Sequence, residues 1–180
     1  MNSHDGSLVS NKRGEGLSGT CGWVILGNSG SGKSTLARRL MTEHGASVLD
    51  LDTVAWRADL DEPVRRPVGE VAQELDAFIE AHPGGWVLEG CYEDLIAHAL
   101  HRAPELIWLD VPAQVCAQRI RSRAFEPHKY ASPEAQRAAA DALAAWINAY
   151  DVREGPMSHA AHALVYESYA GPKRRTTDAA

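Results

Sequence analysis

Four short, almost unbroken apolar runs punctuate the chain: Trp23-Val24-Ile25-Leu26, Val48-Leu49-Asp50-Leu51-Asp52, Trp86-Val87-Leu88-Glu89 and Leu106-Ile107-Trp108-Leu109-Asp110. A weaker fifth is Ala163-Leu164-Val165-Tyr166. Runs of this length without polar alternation suit strands buried on both faces, so five strands are predicted. Between them apolar residues recur at helical spacing: Leu36, Ala37, Leu40 and Met41 ahead of Gly45; Val68, Val71, Leu75, Phe78 and Ile79; Val115, Cys116 and Ile120. The longest such segment carries Ala139, Leu143, Trp146, Ile147 and Tyr150, opened by Ser132 as N-cap with Pro133 in the first turn. Strand and helix in alternation predict an α/β protein whose parallel sheet is covered on both faces.

The ends of the chain break this rhythm. Residues 1–20 are rich in Gly, Ser and Asn without apolar period and are expected to form a disordered leader. Residues 171–180 are polar and are expected to form a flexible tail, which leaves a single domain over 21–170. The 180 residues, 44% hydrophobic and 23% charged, agree with one globular domain. A net charge of −6 argues against nucleic acid or an anionic membrane as partner, since both demand a surplus of Lys and Arg. No run approaches the roughly 20 apolar residues that span a bilayer, and no signal-peptide core opens the chain, so a cytoplasmic protein is expected. Cys21, Cys91 and Cys116 match neither a zinc site nor a disulfide framework and read as reduced thiols.

Candidate chemistry begins directly after the first run. Gly27-Asn28-Ser29-Gly30-Ser31-Gly32-Lys33-Ser34-Thr35 satisfies G-x-x-x-x-G-K-[ST] between a strand and a helix, the context the motif needs. Glycines let successive N–H groups surround a phosphate, and the helix that follows adds its positive end. Lys33 supplies a mobile charge for the outer phosphates and Ser34 a hydroxyl ligand for Mg²⁺. The fold expectation therefore sharpens to a P-loop NTPase three-layer α/β/α sandwich with a five-stranded parallel sheet, binding ATP with Mg²⁺.

Strand ends on such a sheet converge on the ligand crevice, and here they are acidic. Asp50 and Asp52, two apart, share one side of their strand; Glu89 ends the third strand and Asp110 the fourth. Carboxylates there can serve Mg²⁺ or orient an acceptor hydroxyl, with Asp50 the metal candidate and Asp52 and Glu89 the substrate candidates; Asp110, close to Pro112, reads equally as a turn residue. Arg119 and Arg123 lie four apart on one helix face and could close over a triphosphate, or could be a solvated basic helix end as Arg121 is. Residues 124–132 form a short lid candidate, from which Lys129 and Arg137 could reach phosphate. Residues 53–85 form a candidate acceptor arm with Trp56, Arg57, Arg65 and Arg66, suited to a base and phosphate or to a carboxylate, and equally a solvated loop. His98 and His101, like His159 and His162, show no carboxylate or Cys in the pattern that would make them metal sites.

With these residues in view, the stretch from about Trp23 to Tyr150 resembles the adenylate-kinase-like P-loop kinases, including nucleoside monophosphate and shikimate kinases. "LIWLDVPAQVCAQRIRSR" is similar to the adenylate kinase segment carrying catalytic arginines, which implies those roles for Arg119 and Arg123. "VLDLD" resembles the Asp-x-Asp of shikimate kinases, implying Asp50 for Mg²⁺ and Asp52 for the substrate hydroxyl. "LDTVAW", "WVLEGCY" and "HKY" most closely resemble the bacterial kinases known as topology-modulation proteins. One departure stands out: the adenylate kinase Asp-Gly-Phe-Pro-Arg is replaced by Glu89-Gly90-Cys91-Tyr92, without the arginine that clamps a monophosphate.

Competing P-loop classes fit less well. The only Asn-Lys, Asn11-Lys12, precedes the phosphate loop, against a GTPase; Leu17-Ser18-Gly19 continues with Thr20 and also lies upstream, against a transport ATPase. The expected activity is an ATP-dependent kinase passing the γ-phosphoryl of Mg-ATP to a small-molecule hydroxyl or phosphate acceptor. The alternatives are an ATP-binding sensing module without such an acceptor, and a toxin-type kinase acting on a cell-wall precursor.

Overall fold

The computed structural model describes residues 22–57, 64–125, 127 and 131–177. Strand β1 (Gly22–Gly27) leads into α1 (Lys33–His44), then β2 (Ser47–Asp50), the single turn α2 (Asp52–Ala55), and a small antiparallel hairpin of β3 (Trp56–Arg57) and β4 (Val64–Arg65). Next come α3 (Val68–Ala81), β5 (Trp86–Gly90), α4 (Glu93–Ala99) with a 3₁₀ turn over Leu100–Arg102, and β6 (Glu105–Leu109). The chain continues through α5 (Ala113–Arg121), α6 (Pro133–Asn148), α7 (His159–Ser168) and β7 (Lys173–Thr176).

Five strands form one parallel sheet in the order β2-β5-β1-β6-β7. Three of the four apolar runs occupy its middle, while Val48–Asp50 forms the half-buried edge strand β2; every β1 residue is buried, and alternate side chains feed two separate cores. Trp23 and Ile25 pack with Leu36, Leu40, Ile120 and Ile147 on one face; Val24 and Leu26 pack with Val71, Leu75, Leu95 and Ile96 on the other. The result is the expected three-layer α/β/α sandwich. Local signals also act as read: Ser132 Oγ accepts the Ala135 N–H at 3.1 Å, and Gly45 ends α1 in the left-handed region at φ 69°.

The fifth strand is a correction. Ala163–Tyr166, predicted as a strand, lies inside α7, which Ser158 opens by accepting the Ala161 N–H at 3.1 Å. The polar segment expected as a flexible tail supplies the strand instead, Lys173–Thr176 pairing with Leu106–Leu109. An edge strand has one neighbour and largely faces solvent, so it needs no apolar run; it is held by ladder bonds and by ion pairs of Arg174 with Glu105 at 2.9 Å and of Arg175 with Asp110. The leader expected over residues 1–20 lies outside the described residues, as do lid residues 126 and 128–130, Lys129 among them. The acceptor arm is not a solvated loop: α3 buries Val71, Leu75 and Ile79, and the β3–β4 hairpin is tied down by arginines.

Candidate active site

The phosphate loop links β1 to α1 and is braced from behind. Asn28 is fully buried; its Nδ2 donates to the Ile147 carbonyl at 3.1 Å and its Oδ1 accepts the Ser29 N–H at 2.9 Å, so the loop is pinned to the end of α6. Gly30 takes φ 81°, and a Cβ there would stand 2.5 Å from the Cys116 carbonyl oxygen, so only glycine lets the loop lie against α5. Of the nine loop residues, Ser29, Gly30, Gly32, Lys33, Ser34 and Thr35 line an open cleft of about 1480 Å³, while Gly27, Asn28 and Ser31 sit behind it. Lys33 Nζ donates to the Asn28 carbonyl at 3.1 Å, an exposed-side bond that a phosphate can replace.

The strand-end acids divide. Glu89 ends β5, directly beside β1, and only 3% of it is exposed. Burial pushes its carboxyl above the usual range, against the opposing pull of the Ser34 hydroxyl bonded to it and the nearby Lys33 charge; Asp50 and Asp52 add a further upward push. Asp50 ends the edge strand β2. Asp52 does not share that strand, as the sequence spacing suggested, but starts α2; Asp50 Oδ1 accepts the Asp52 N–H at 2.9 Å. The two acids thus meet through a side-chain-to-backbone bond across Leu51 rather than strand alternation. Glu89, read from sequence as a substrate residue, is the carboxylate placed on Ser34, the predicted Mg²⁺ ligand. The donor set of one hydroxyl and two carboxylates, Ser34 with Glu89 and Asp50, is hard oxygen chemistry that fits Mg²⁺.

Across the cleft from Lys33 lies a polar chain that sequence reading missed. Tyr92 is buried, its hydroxyl donates to Asp52 Oδ1 at 2.6 Å, and it accepts from Trp56 Nε1 at 2.7 Å. Burial and the Asp52 carboxylate both push the phenol's pKa well above its ordinary value, so it stays protonated as the donor. The available signal was its position, two residues past the third strand. Arg65 and Arg66, read as acceptor ligands, do not line the cleft. Arg65 forks Asp94 at 2.9 and 3.1 Å and lies over the Tyr92 ring, 4.8 Å from its centroid; Arg66 holds Glu74 at 2.5 and 3.2 Å. Both also donate to backbone carbonyls of the arm, Ala55 and Val54, so their role is to fasten the hairpin.

On the lid side, Arg119 and Arg123 both reach the cleft. Arg119 Nη1 donates to the Ser31 carbonyl at 3.3 Å, fixing it to the phosphate loop, and Arg123 has no side-chain partner among the described residues. Arg121 turns away to Asp141 at 2.8 Å, as a solvated helix end does. Arg137 pairs with Glu134 at 2.7 Å on α6. Leu143, Trp146 and Met157 add an apolar wall, with Arg153 stacked 3.8 Å from the Trp146 centroid. Asp110 neither lines the cleft nor caps α5: it bonds Arg175 and lies 3.1 Å from His159 Nε2. His98 and His101 do have a carboxylate neighbour, Asp76, but Arg102 donates to both Asp76 and His101, so a guanidinium already serves as the cation there.

A G-K-[ST] loop leaving the central strand of a parallel sheet and capping the next helix makes this a P-loop protein. The chain belongs to the AAA domain family, whose model matches residues 24–141. It is 28% identical over 149 residues to a cytidylate kinase of Haloarcula marismortui, covering 72% of each chain. It is 33% identical over 119 residues to a cytidylate kinase of Ignicoccus hospitalis, covering 56% of this chain and 63% of that one. Among solved structures, a sugar kinase from Janibacter sp. HTCC2649 is similar with a TM-score of 0.49 and 16% identity, over 87% of this chain and 84% of that chain. Family and curated relatives together place the chain among the nucleoside-monophosphate-kinase-like P-loop kinases. No described helix is long and apolar enough to cross a membrane.

Proposed function

We propose that the protein is an ATP-dependent kinase that transfers the γ-phosphoryl group of Mg-ATP to a small-molecule hydroxyl or phosphate acceptor. The observation that carries this reading is that one cleft is lined both by a phosphate loop with Lys33 and Ser34 and by a carboxylate oriented by a buried phenol, Asp52 with its Tyr92 partner. A sensing module would need the first and has no use for the second.

In this reading the loop N–H groups and Lys33 cradle the phosphates, and the base lies toward the wall of Leu143, Trp146 and Met157. Ser34, Glu89 and Asp50 hold Mg²⁺, which neutralises phosphate charge when bound. Arg119 and Arg123 supply charge where the equatorial oxygens gain it, and Asp52 orients the acceptor hydroxyl and takes its proton. Catalysis rests on position and electrostatics rather than a covalent intermediate. ADP release from Mg-ATP is the test, wild type beside Lys33→Ala across candidate acceptors. Acceptor-stimulated release in wild type is expected to fall at least about 100-fold in Lys33→Ala, with folding unchanged. Equal activity in the two proteins, or ATP binding that no acceptor stimulates, would reject a kinase in favour of an ATP-binding sensor.

A further inference from the structure

Resting on that kinase reading, we propose that the acceptor is a hydroxyl compound that carries no phosphate, either neutral or amine-bearing. The distribution of charge along the cleft points there. Near the phosphate loop, Lys33, Arg119 and Arg123 offer cations to ATP. Around Asp52, by contrast, all three arginines of the arm are committed. Arg57 forks Glu70 at 2.8 and 3.0 Å, Arg65 forks Asp94, and Arg66 holds Glu74. Arg65 and Arg66 are further fixed by backbone carbonyls, so recruiting either would break a bidentate ion pair and undo the hairpin.

With Asp50 and Glu89 given to Mg²⁺, what is left to an acceptor is the Asp52 carboxylate with Trp56 and Tyr92, and Arg57, which also lines the cleft, is the guanidinium held by Glu70. A phosphate monoester brings between one and two negative charges at neutral pH and is ordinarily bound by guanidinium or ammonium groups. Here it would meet the Asp52 carboxylate. A sugar, nucleoside or amino-alcohol hydroxyl meets acceptors for its protons and apolar ring faces for its carbon frame, and an ammonium group would be attracted. Arg38, the remaining cation of the cleft, donates Nε to the Ser34 carbonyl at 3.1 Å on the helix that leaves the phosphate loop.

In the transfer, the acceptor oxygen bonds to the γ-phosphorus while the bond from that phosphorus to the β,γ-bridging oxygen breaks. The hydroxyl proton passes to Asp52, ADP departs with the bond's electron pair, and a phosphate monoester is formed.

Acceptors offered in matched pairs, cytidine with CMP and glucosamine with glucosamine 6-phosphate among them, test this on the full chain with Mg-ATP. The readouts are kcat/KM from ADP release and the phosphorylated product by phosphorus NMR, with Lys33→Ala as control. The unphosphorylated member of at least one pair is expected to be used at least about tenfold better than its phosphate partner. A phosphorylated member used equally well or better would overturn the inference yet leave the kinase reading intact. A flat response to every pair, with ATP binding still dependent on Lys33, would overturn the kinase reading and this inference with it.

Discussion

The Tyr92 hydroxyl donates to Asp52 Oδ1 at 2.6 Å, joining the loop after β5 to the first turn after β2. That bond fixes one carboxylate oxygen and leaves the other for an acceptor. Because Tyr92 also accepts from Trp56 Nε1, the Asp52 carboxylate and the aromatic wall of the arm are set by one atom.

Tyr92→Phe deletes that atom while keeping the ring under Arg65. A hydrogen bond to a charged group is worth about 1.5–3 kcal/mol, so kcat/KM is expected to fall roughly 10- to 100-fold. ATP affinity should stay within about twofold, since the phosphate loop is untouched. Steady-state kinetics beside ATP titration separates the two; a matched loss of ATP binding would count against an acceptor-side role.

Asn28 predicts a different split. Asn28→Ala leaves the Ile147 carbonyl and the Ser29 N–H without their buried partner, at a cost of about 1–3 kcal/mol in stability. Because the loop then loses its brace against α6, ATP binding is expected to weaken as well. Urea unfolding and ATP titration check both, and a variant of unchanged stability would show that the brace is dispensable.

His162 gives the pH dependence. It is fully buried; Nε2 lies 2.8 Å from the Cys91 carbonyl, which can only accept, so Nε2 carries the proton and Nδ1 accepts from Tyr150 Oη at 2.6 Å. Burial lowers its pKa to about 4, against 6.5 as its ordinary value. A base depressed in the folded state contributes stability that is fully present above 6.5 and is lost as pH falls toward 4, because only the unfolded chain takes the proton in that window. The expected loss by pH 4 is roughly 3 kcal/mol. His162→Gln, neutral throughout, should be less stable at pH 7 and should flatten that part of the profile in chemical denaturation; an unchanged slope would refute the assignment.

Asp110 tests the correction at the sheet edge. With its carboxylate bonded to Arg175 and close to His159, Asp110→Asn is expected to cost about 1–3 kcal/mol in stability and to lower the melting temperature by several degrees, with ADP release at saturating ligand unchanged. A variant that folds normally but loses turnover would give Asp110 a part in catalysis instead.

Much of this protein is legible in its amino-acid order because the signals are local. Continuous apolar runs must be buried on both faces, so Trp23–Leu26, Trp86–Glu89 and Leu106–Leu109 read as inner strands of a parallel sheet, and they are. The Gly27–Thr35 motif, the Ser132 cap and the Gly45 stop each depend on backbone angles and bonds within a few residues. Nonlocal choices were decided by the tertiary structure. Lys173–Thr176 closes the sheet because β6 and the acids Glu105 and Asp110 stand beside it, partners some 65 residues away that no run of its own could announce. Likewise, Arg65 and Arg66 read as ligands when only their charge is known, and as fasteners once Asp94 and Glu74 stand against them. Residue type announces which chemistry a side chain can do. Only the folded arrangement of charges decides which of several equal carboxylates and guanidinium groups is left to do it, since each ion pair formed within the fold removes two groups from the site.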